Sequence, residues 1–345
     1  MYPIKKKFTS PFSLRKAQKT SSVLIVFLIY IFLTGCQKTT TSHFDPDQSQ
    51  LQKLPEQNNE QTFIPQPEIT LLPETPAPGD FTLLRIGPLP FLPEITIDTD
   101  LIGDISLPFE FQNYAYVFLG TSYRTEPGQY EIEVHIDNLQ PDTLNITIPI
   151  EIVTKDFPVS RFSMPPSRTA GWTAEGLRKA REKVNTSRKI TLPEPLWNAP
   201  FIWPVKGRIS SEFGALRIIN DRKSYHSGID IAKPGGTPVK ASNCGIVRLA
   251  DHLPAQGKIV ILDHGLDISS SYLHLKEISV SEGQKVENGD AIGTVGMTGY
   301  ATGNHLHWSI HIGHMPVNPE QFVTKELANP FSFHEYKKKY QEIPG

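Results

Sequence analysis

Apolar residues fall into three regimes along this chain. Between Val23 and Leu33 they run unbroken for eleven positions, and from Gln37 to about Pro78 they are sparse among Thr, Gln, Asn and Pro; beyond that they alternate. Ile132, Val134 and Ile136 alternate with polar partners, as do Ile146, Ile148, Ile150 and Ile152, the period of a strand with one buried face. Glu126-Pro-Gly-Gln129 is a turn feeding the first of these strands. Further apolar runs near 81–86, 105–111 and 114–119 complete a small all-β module over 79–156, a pattern that predicts a sandwich. Residues 157–199 read as a connector with one short helix. Thr173 is placed to cap it, Leu177, Ala180 and Val184 give an apolar stripe at helical spacing, and its Arg and Lys residues read as a solvated face. Alternation and Gly-rich turns return over 200–325, predicting a second β domain, with 326–345 left as a tail.

Composition narrows the functional classes. The 345 residues suffice for two modest domains with cores of their own. Formal net charge is −2, yet residues 1–35 carry six Lys or Arg and no acid, leaving −8 for the rest once that +6 is removed. That acidic remainder argues against nucleic acid as the main partner. Two cysteines, Cys36 and Cys244, cannot build a disulfide framework. The eleven-residue apolar run is shorter than the roughly 20 residues a bilayer needs, so with its basic flank it reads as a secretory leader. Leu33-Thr34-Gly35-Cys36 resembles the lipobox of bacterial lipoproteins. That resemblance implies cleavage before Cys36, lipidation of its thiol and a membrane anchor, and Gln37 after the cysteine implies an outer-membrane position facing the periplasm. Residues 36–78 would then be an extended tether.

The chemistry is concentrated between His226 and His307. His305 and His307 sit in an alternating stretch with Leu306, Trp308 and Ile310, so both imidazoles share one strand face, about 7 Å apart along the backbone. That suits one ligand and a neighbouring acid or base. His226 and Asp230 would lie about 13 Å apart on a straight strand, so the segment must bend to converge them, and Gly228 between them permits it. Neutral imidazole and carboxylate are the donor set for zinc, and two His plus one carboxylate leave an open position for water. Each fragment alone is unspecific.

Their order is not. His-x-x-x-Asp at 226–230, Tyr-x-His-Leu at 272–275 and Thr-Gly-x-His-Leu-His at 302–307 resemble the lysostaphin-type (LytM-like) zinc endopeptidases of bacterial cell walls. Ile209–Gly214, Gly235–Ala241, Asp263–Gly265 and Val286–Gly293 match as well, so the likeness spans about 200–320. It implies antiparallel β sheets flanking a substrate groove, zinc held by His226, Asp230 and His307, and His274 with His305 handling the water's proton and the oxyanion. It also implies cleavage of peptide cross-links in peptidoglycan. The module at 79–156 resembles the immunoglobulin-like domain ahead of some secreted metallopeptidases, chiefly at Tyr123–Tyr130.

Other residues carry blander expectations. Arg217, Tyr272 and Asn304 are candidate substrate contacts. His264 is expected to close a strand and turn, His311 to be exposed, Cys244 to be a buried or turn thiol, and His135 to be solvated. Two non-enzymatic readings compete with the hydrolase. One is a wall-binding or hydrolase-regulating lipoprotein of the same fold; relatives of that kind usually lack ligands, and all are present here. The other is a biotinyl/lipoyl-like barrel suggested by Val280–Gly293, but the attachment lysine between methionines is absent.

Overall fold

In the computed structural model the described residues are 4–8 and 66–324, apart from 92, 102, 138–142, 164, 166, 168, 190 and 198. The apolar run at 23–33, Cys36, most of the tether and the tail from 326 lie outside the described residues.

Two antiparallel sheets form the first module. One has the order β1 (Ile4–Phe8), β4 (Glu94–Thr99), β8 (Gly128–Asp137) and β9 (Leu144–Ile152). The other runs β2 (Glu68–Leu72), β3 (Phe81–Gly87), β7 (Tyr114–Thr121) and β5 (Gly103–Ile105), with β6 (Phe109–Phe111) also pairing with β7. The sheet thus begins inside the stretch read as tether, and β1 falls in the basic stretch read as leader. Strand β2 escapes a search for alternation because it is a short edge strand, half-exposed along most of its length.

Strand β7 is buried at every position after Tyr114, which is why its sequence, Tyr-Ala-Tyr-Val-Phe-Leu-Gly-Thr, runs apolar instead of alternating. One face carries Ala115, Val117 and Leu119. The other carries Tyr116 and Phe118, which join Phe81, Leu83 and Phe109 in a core shared with Trp197, Phe201 and Phe322 of the second domain. Phe118 lies 6.2 Å from both the Trp197 and Phe322 rings. Each buried ring contributes on the order of 2 kcal/mol. Backbone and amide bonds register the contact: Asn318 N–H donates to the Gly79 carbonyl (2.8 Å), and Phe81 N–H to Gln321 Oε1 (2.8 Å). The module is therefore packed onto the second domain.

The connector holds a strand as well as the expected helix. Strand β10 (Val159–Phe162) pairs in parallel with β12 (Leu216–Ile219), and β12 turns through Asn220 and Asp221, both at positive φ, into β13 (Arg222–Tyr225). Helix α1 (Ala174–Lys189) is capped by Thr173, whose Oγ1 accepts from Gly176 N–H at 3.0 Å. Its Ala180 and Val184 pack on Leu249, Leu253, Ile259 and Ile261.

The second domain is built on an eight-stranded sheet. Its order is β11 (Arg208–Ser211), β14 (Ile229–Ala232), β22 (His305–Ile312), β18 (Ile268–Leu275), β17 (Gly257–Asp263), β16 (Gly245–Leu253) and β20 (Lys285–Val286), with β23 (Met315–Val317) paired to β22. A smaller sheet joins β15 (Pro238–Lys240), β21 (Ala291–Thr294) and β19 (Glu277–Ile278). Alternation sorts the large sheet into two chemistries. Ile229, Ile231, Val260, Leu262, Tyr272, Leu306, Trp308 and Ile310 face the shared core. Asp230, Ser271, His307, Ser309 and His311 occupy the intervening positions and so project from the opposite face.

Candidate metal centre and groove

Register brings the candidate ligands together. Asp230 on β14 lies directly opposite His307 on β22, so both side chains rise from the same face at adjacent positions. His226 precedes β14, and the bend at Gly228 swings it over the pair. The bend is tight: a Cβ at Gly228 would lie 2.8 Å from Ser309 Cβ and 2.9 Å from His307 Nε2. The predicted convergence of three distant residues is present. His226 Nε2 lies 2.9 Å from His307 Nδ1 and 3.0 Å from Asp230 Oδ1, and His307 Nδ1 is also 3.0 Å from that oxygen. All three residues are buried.

The donor set fits a divalent cation. His226 Nδ1 donates to the Glu212 carbonyl at 2.8 Å, which can only accept, so its Nε2 presents a lone pair. Burial pushes the His226 pKa down to about 4, despite the raising effect of Asp230, which keeps that nitrogen unprotonated at neutral pH. For Asp230, burial alone would raise the pKa; the adjoining His226 and His307 imidazoles outweigh it and hold the carboxyl well below the usual range. A lone pair and a carboxylate aimed at each other at 3.0 Å repel in a dry site unless a cation lies between them. Atoms at this spacing can all lie about 2 Å from one ion, the zinc distance for nitrogen and oxygen.

Two further imidazoles stand beside this trio. His305 is two residues before His307 on the same face, with Nε2 3.7 Å from Asp230 Oδ1. His274 would face the core by strand alternation, since Tyr272 does. Its backbone instead takes φ 63°, a conformation few side chains adopt, and its Nδ1 bonds the Thr298 carbonyl at 2.8 Å. That twist carries the ring to the site, 4.9 Å from the His305 ring. His305 Nδ1 is held in the same manner by the Gly303 carbonyl at 2.9 Å, so both rings turn Nε2 towards the centre. Burial, with the nearby His305 and His307, lowers the His274 pKa to about 3.

Asp230, His274 and His305 floor a groove of about 430 Å³. One wall is Ser210, Ser211, Arg217 and Ile219; the other is the loop from Tyr300 to Asn304. Arg217 lines the groove, but its guanidinium is committed to Asp230 Oδ2 and to Ser211 Oγ (2.8 Å), so it braces a ligand carboxylate. Ser160 of β10 also lines the groove, a contribution from the connector that no motif announced.

Residues 224–319 match the family model for peptidase family M23. The second domain is similar to peptidase family M23 over those residues. Vibrio cholerae peptidoglycan DD-endopeptidase ShyA is 43% identical over 115 residues, covering 33% of this chain and 27% of that protein. The DD-carboxypeptidase/endopeptidase Mpg of Neisseria meningitidis is 42% identical over 124 residues, covering 36% and 28%. The chain thus spans about a quarter to a third of the length of these curated relatives. A Pseudomonas aeruginosa crystal structure described as a peptidase M23 superposes with a TM-score of 0.55 at 26% identity, covering 72% of this chain and 94% of that one. Its coverage reaches well beyond the residues that match the family model.

Within the second domain two expectations are corrected. Tyr272 does not line the groove: its ring is fully buried in the core and its hydroxyl bonds Ser242 N–H at 2.8 Å and Ser270 Oγ at 2.9 Å. His311 is buried, because the sheet face beyond the ligands is covered and not open to water. Asn304 stands exposed on the groove rim. His264 is a core histidine bonded to the Cys244 carbonyl (2.7 Å) and Ser270 Oγ (2.8 Å), and Cys244 is buried beside it. In the first module His135 bonds Asn145 Oδ1 at 2.6 Å, and its Nε2 stays 3.6 Å from Asp98 and 3.7 Å from Glu133 on a partly exposed face.

Proposed function

We propose that this chain is a zinc-dependent endopeptidase that hydrolyses peptide cross-links of bacterial peptidoglycan. The observation that carries the reading is the closure of His226, Asp230 and His307 to 3.0 Å of one another with two further imidazoles beside them. Zinc held by those three would supply Lewis acidity and lower the pKa of a water to about 7. The remaining work falls to the chain's own groups. With Nδ1 bonded to a carbonyl, His305 and His274 each turn Nε2 to the groove, where a neutral imidazole can accept a proton and return it to a departing amine. We assign His305 as the base because it is the nearer to Asp230 and the more exposed, which leaves His274 on the oxyanion side. Arg217 keeps Asp230 oriented, and the two walls hold the peptide.

The relatives' DD-endopeptidase activities support a D-amino-acid cross-link as the substrate. The lipobox-like Leu33–Cys36 supports export, lipidation at Cys36 and an outer-membrane position facing the periplasm. Mass spectrometry of cross-linked muropeptides digested with the wild type and with His307→Ala tests the activity: fragments from the wild type alone support it, and equal fragments from both remove it. The mass of the mature N-terminus tests the anchor; an unmodified Cys36 would exclude it.

A further inference from the structure

We propose that Arg188, Ser269, Ser271 and His311 form a buried site for a small inorganic anion, chloride or another halide, on the sheet face that carries the metal ligands. Three cross-strand rows define the place. Leu273 lies opposite His307, Ser271 opposite Ser309, and Ser269 opposite His311, all on that face. Helix α1 packs over the neighbouring strands β16 and β17, and Arg188 in its last turn reaches across to donate from Nη2 to Ser271 Oγ at 3.1 Å.

The guanidinium is buried without a counter-charge. Among the described residues no carboxylate pairs with it, and burial is the sole influence on its pKa, lowered to about 10, which still leaves it cationic at neutral pH. The nearest acid by register, Asp263 opposite Ser269, is occupied. It accepts from Arg248 at 2.8 Å, Thr191 Oγ1 at 3.0 Å and Gly265 N–H at 2.8 Å. The carbonyls ending α1 carry only partial charge. Three buried polar atoms here have no partner: Arg188 Nε, Ser269 Oγ and His311 Nδ1.

Each of these groups can donate. A guanidinium has no acceptor, hydroxyls rotate, and a neutral imidazole can carry its proton on Nδ1. A water molecule would satisfy some of these bonds and leave the charge uncompensated, at the cost that attends any unpaired buried ion. An anion satisfies both. Side chains on adjacent strand positions are about 5 Å apart, which suits an ion one atom across. Such an ion would tie the end of the connector helix to the sheet beside the catalytic row.

The test uses the full chain, stripped of metal so that halide cannot act at the ligand trio. Thermal unfolding is compared in about 150 mM sodium chloride and in sodium gluconate of equal ionic strength. A midpoint about 3 °C higher in chloride is expected if chloride stands at about ten times its Kd. Arg188→Gln should abolish the difference and Ser269→Ala should weaken it. Crystals soaked in bromide should show an anomalous peak in hydrogen-bond range of Arg188 Nε and Ser269 Oγ. An equal chloride shift in the variants, or a bromide map with no peak among these four residues, overturns the site. Should Arg188→Gln not fold, the Ser269→Ala comparison and the bromide map decide.

Discussion

Replacing Gly228 by alanine should damage the metal centre through sterics alone. The added Cβ would meet three atoms below ordinary contact distance: the Trp308 carbonyl oxygen, Ser309 Cβ at 2.8 Å and His307 Nε2 at 2.9 Å. None is the free end of a flexible side chain. The carbonyl and Cβ belong to β22, whose Trp308 pairs with Ile229 next to the glycine, and the imidazole is a ligand. Relief requires the segment 226–230 to lift away from β22 by several tenths of an ångström. Overpacking of this kind costs about 1–3 kcal/mol, and with three simultaneous contacts the upper value applies. A domain of this size loses about 2–4 °C per kcal/mol, so metal-free Gly228→Ala should melt roughly 6–12 °C below the wild type. The same displacement separates donor atoms now 2.9–3.0 Å apart, whereas metal sites tolerate about 0.2 Å. Competitive zinc titration should therefore show at least about tenfold weaker binding. A variant that melts within about 1 °C of the wild type and binds zinc equally would refute the steric argument.

Other substitutions separate structural from chemical roles. His264→Ala removes a core histidine bonded to the Cys244 carbonyl and Ser270; calorimetry should show a loss of about 2–3 kcal/mol with zinc content unchanged. Burial and the neighbouring Glu287 push the Cys244 thiol up to about 11, so below that pH it stays protonated, and iodoacetamide at pH 8 should label Cys244 only after unfolding, as peptide mass mapping would show. Tyr123 stacks on Tyr225 at 4.9 Å, next to the ligand His226. Tyr123→Ala should cost about 1 kcal/mol and speed amide exchange over 216–225 while leaving β4 and β8 protected.

The convergence of the three proposed ligands was legible because their spacing obeys strand geometry: His307 and Asp230 need only alternation and register, and His226 needs only a glycine at the bend. The β class was equally open to reading, since β8 and β9 alternate. What escaped depends on long-range packing. The shared core turned Tyr116, Phe118 and Trp197 inward, and local pattern cannot say which of two apolar faces meets a second domain. His311 and the Nε of Arg188 lie buried, both expected on wet faces, because the sequence does not show what lies on top of a strand. His274 reached the site by a left-handed twist that no propensity signals, while Tyr272, two residues earlier, kept strand parity and went to the core. Strand β10 exists only because β12 offers an edge, so Ser160 on the groove wall had no local signature.

The central claim is that one divalent cation sits among His226, Asp230 and His307. A crystal of the zinc-loaded chain, measured on both sides of the zinc absorption edge, tests it directly. The account predicts one strong anomalous peak about 2.0–2.2 Å from His226 Nε2, an Asp230 oxygen and His307 Nδ1. A map with no peak there, or with zinc held elsewhere while Asp230 stays bonded to the imidazoles, contradicts it.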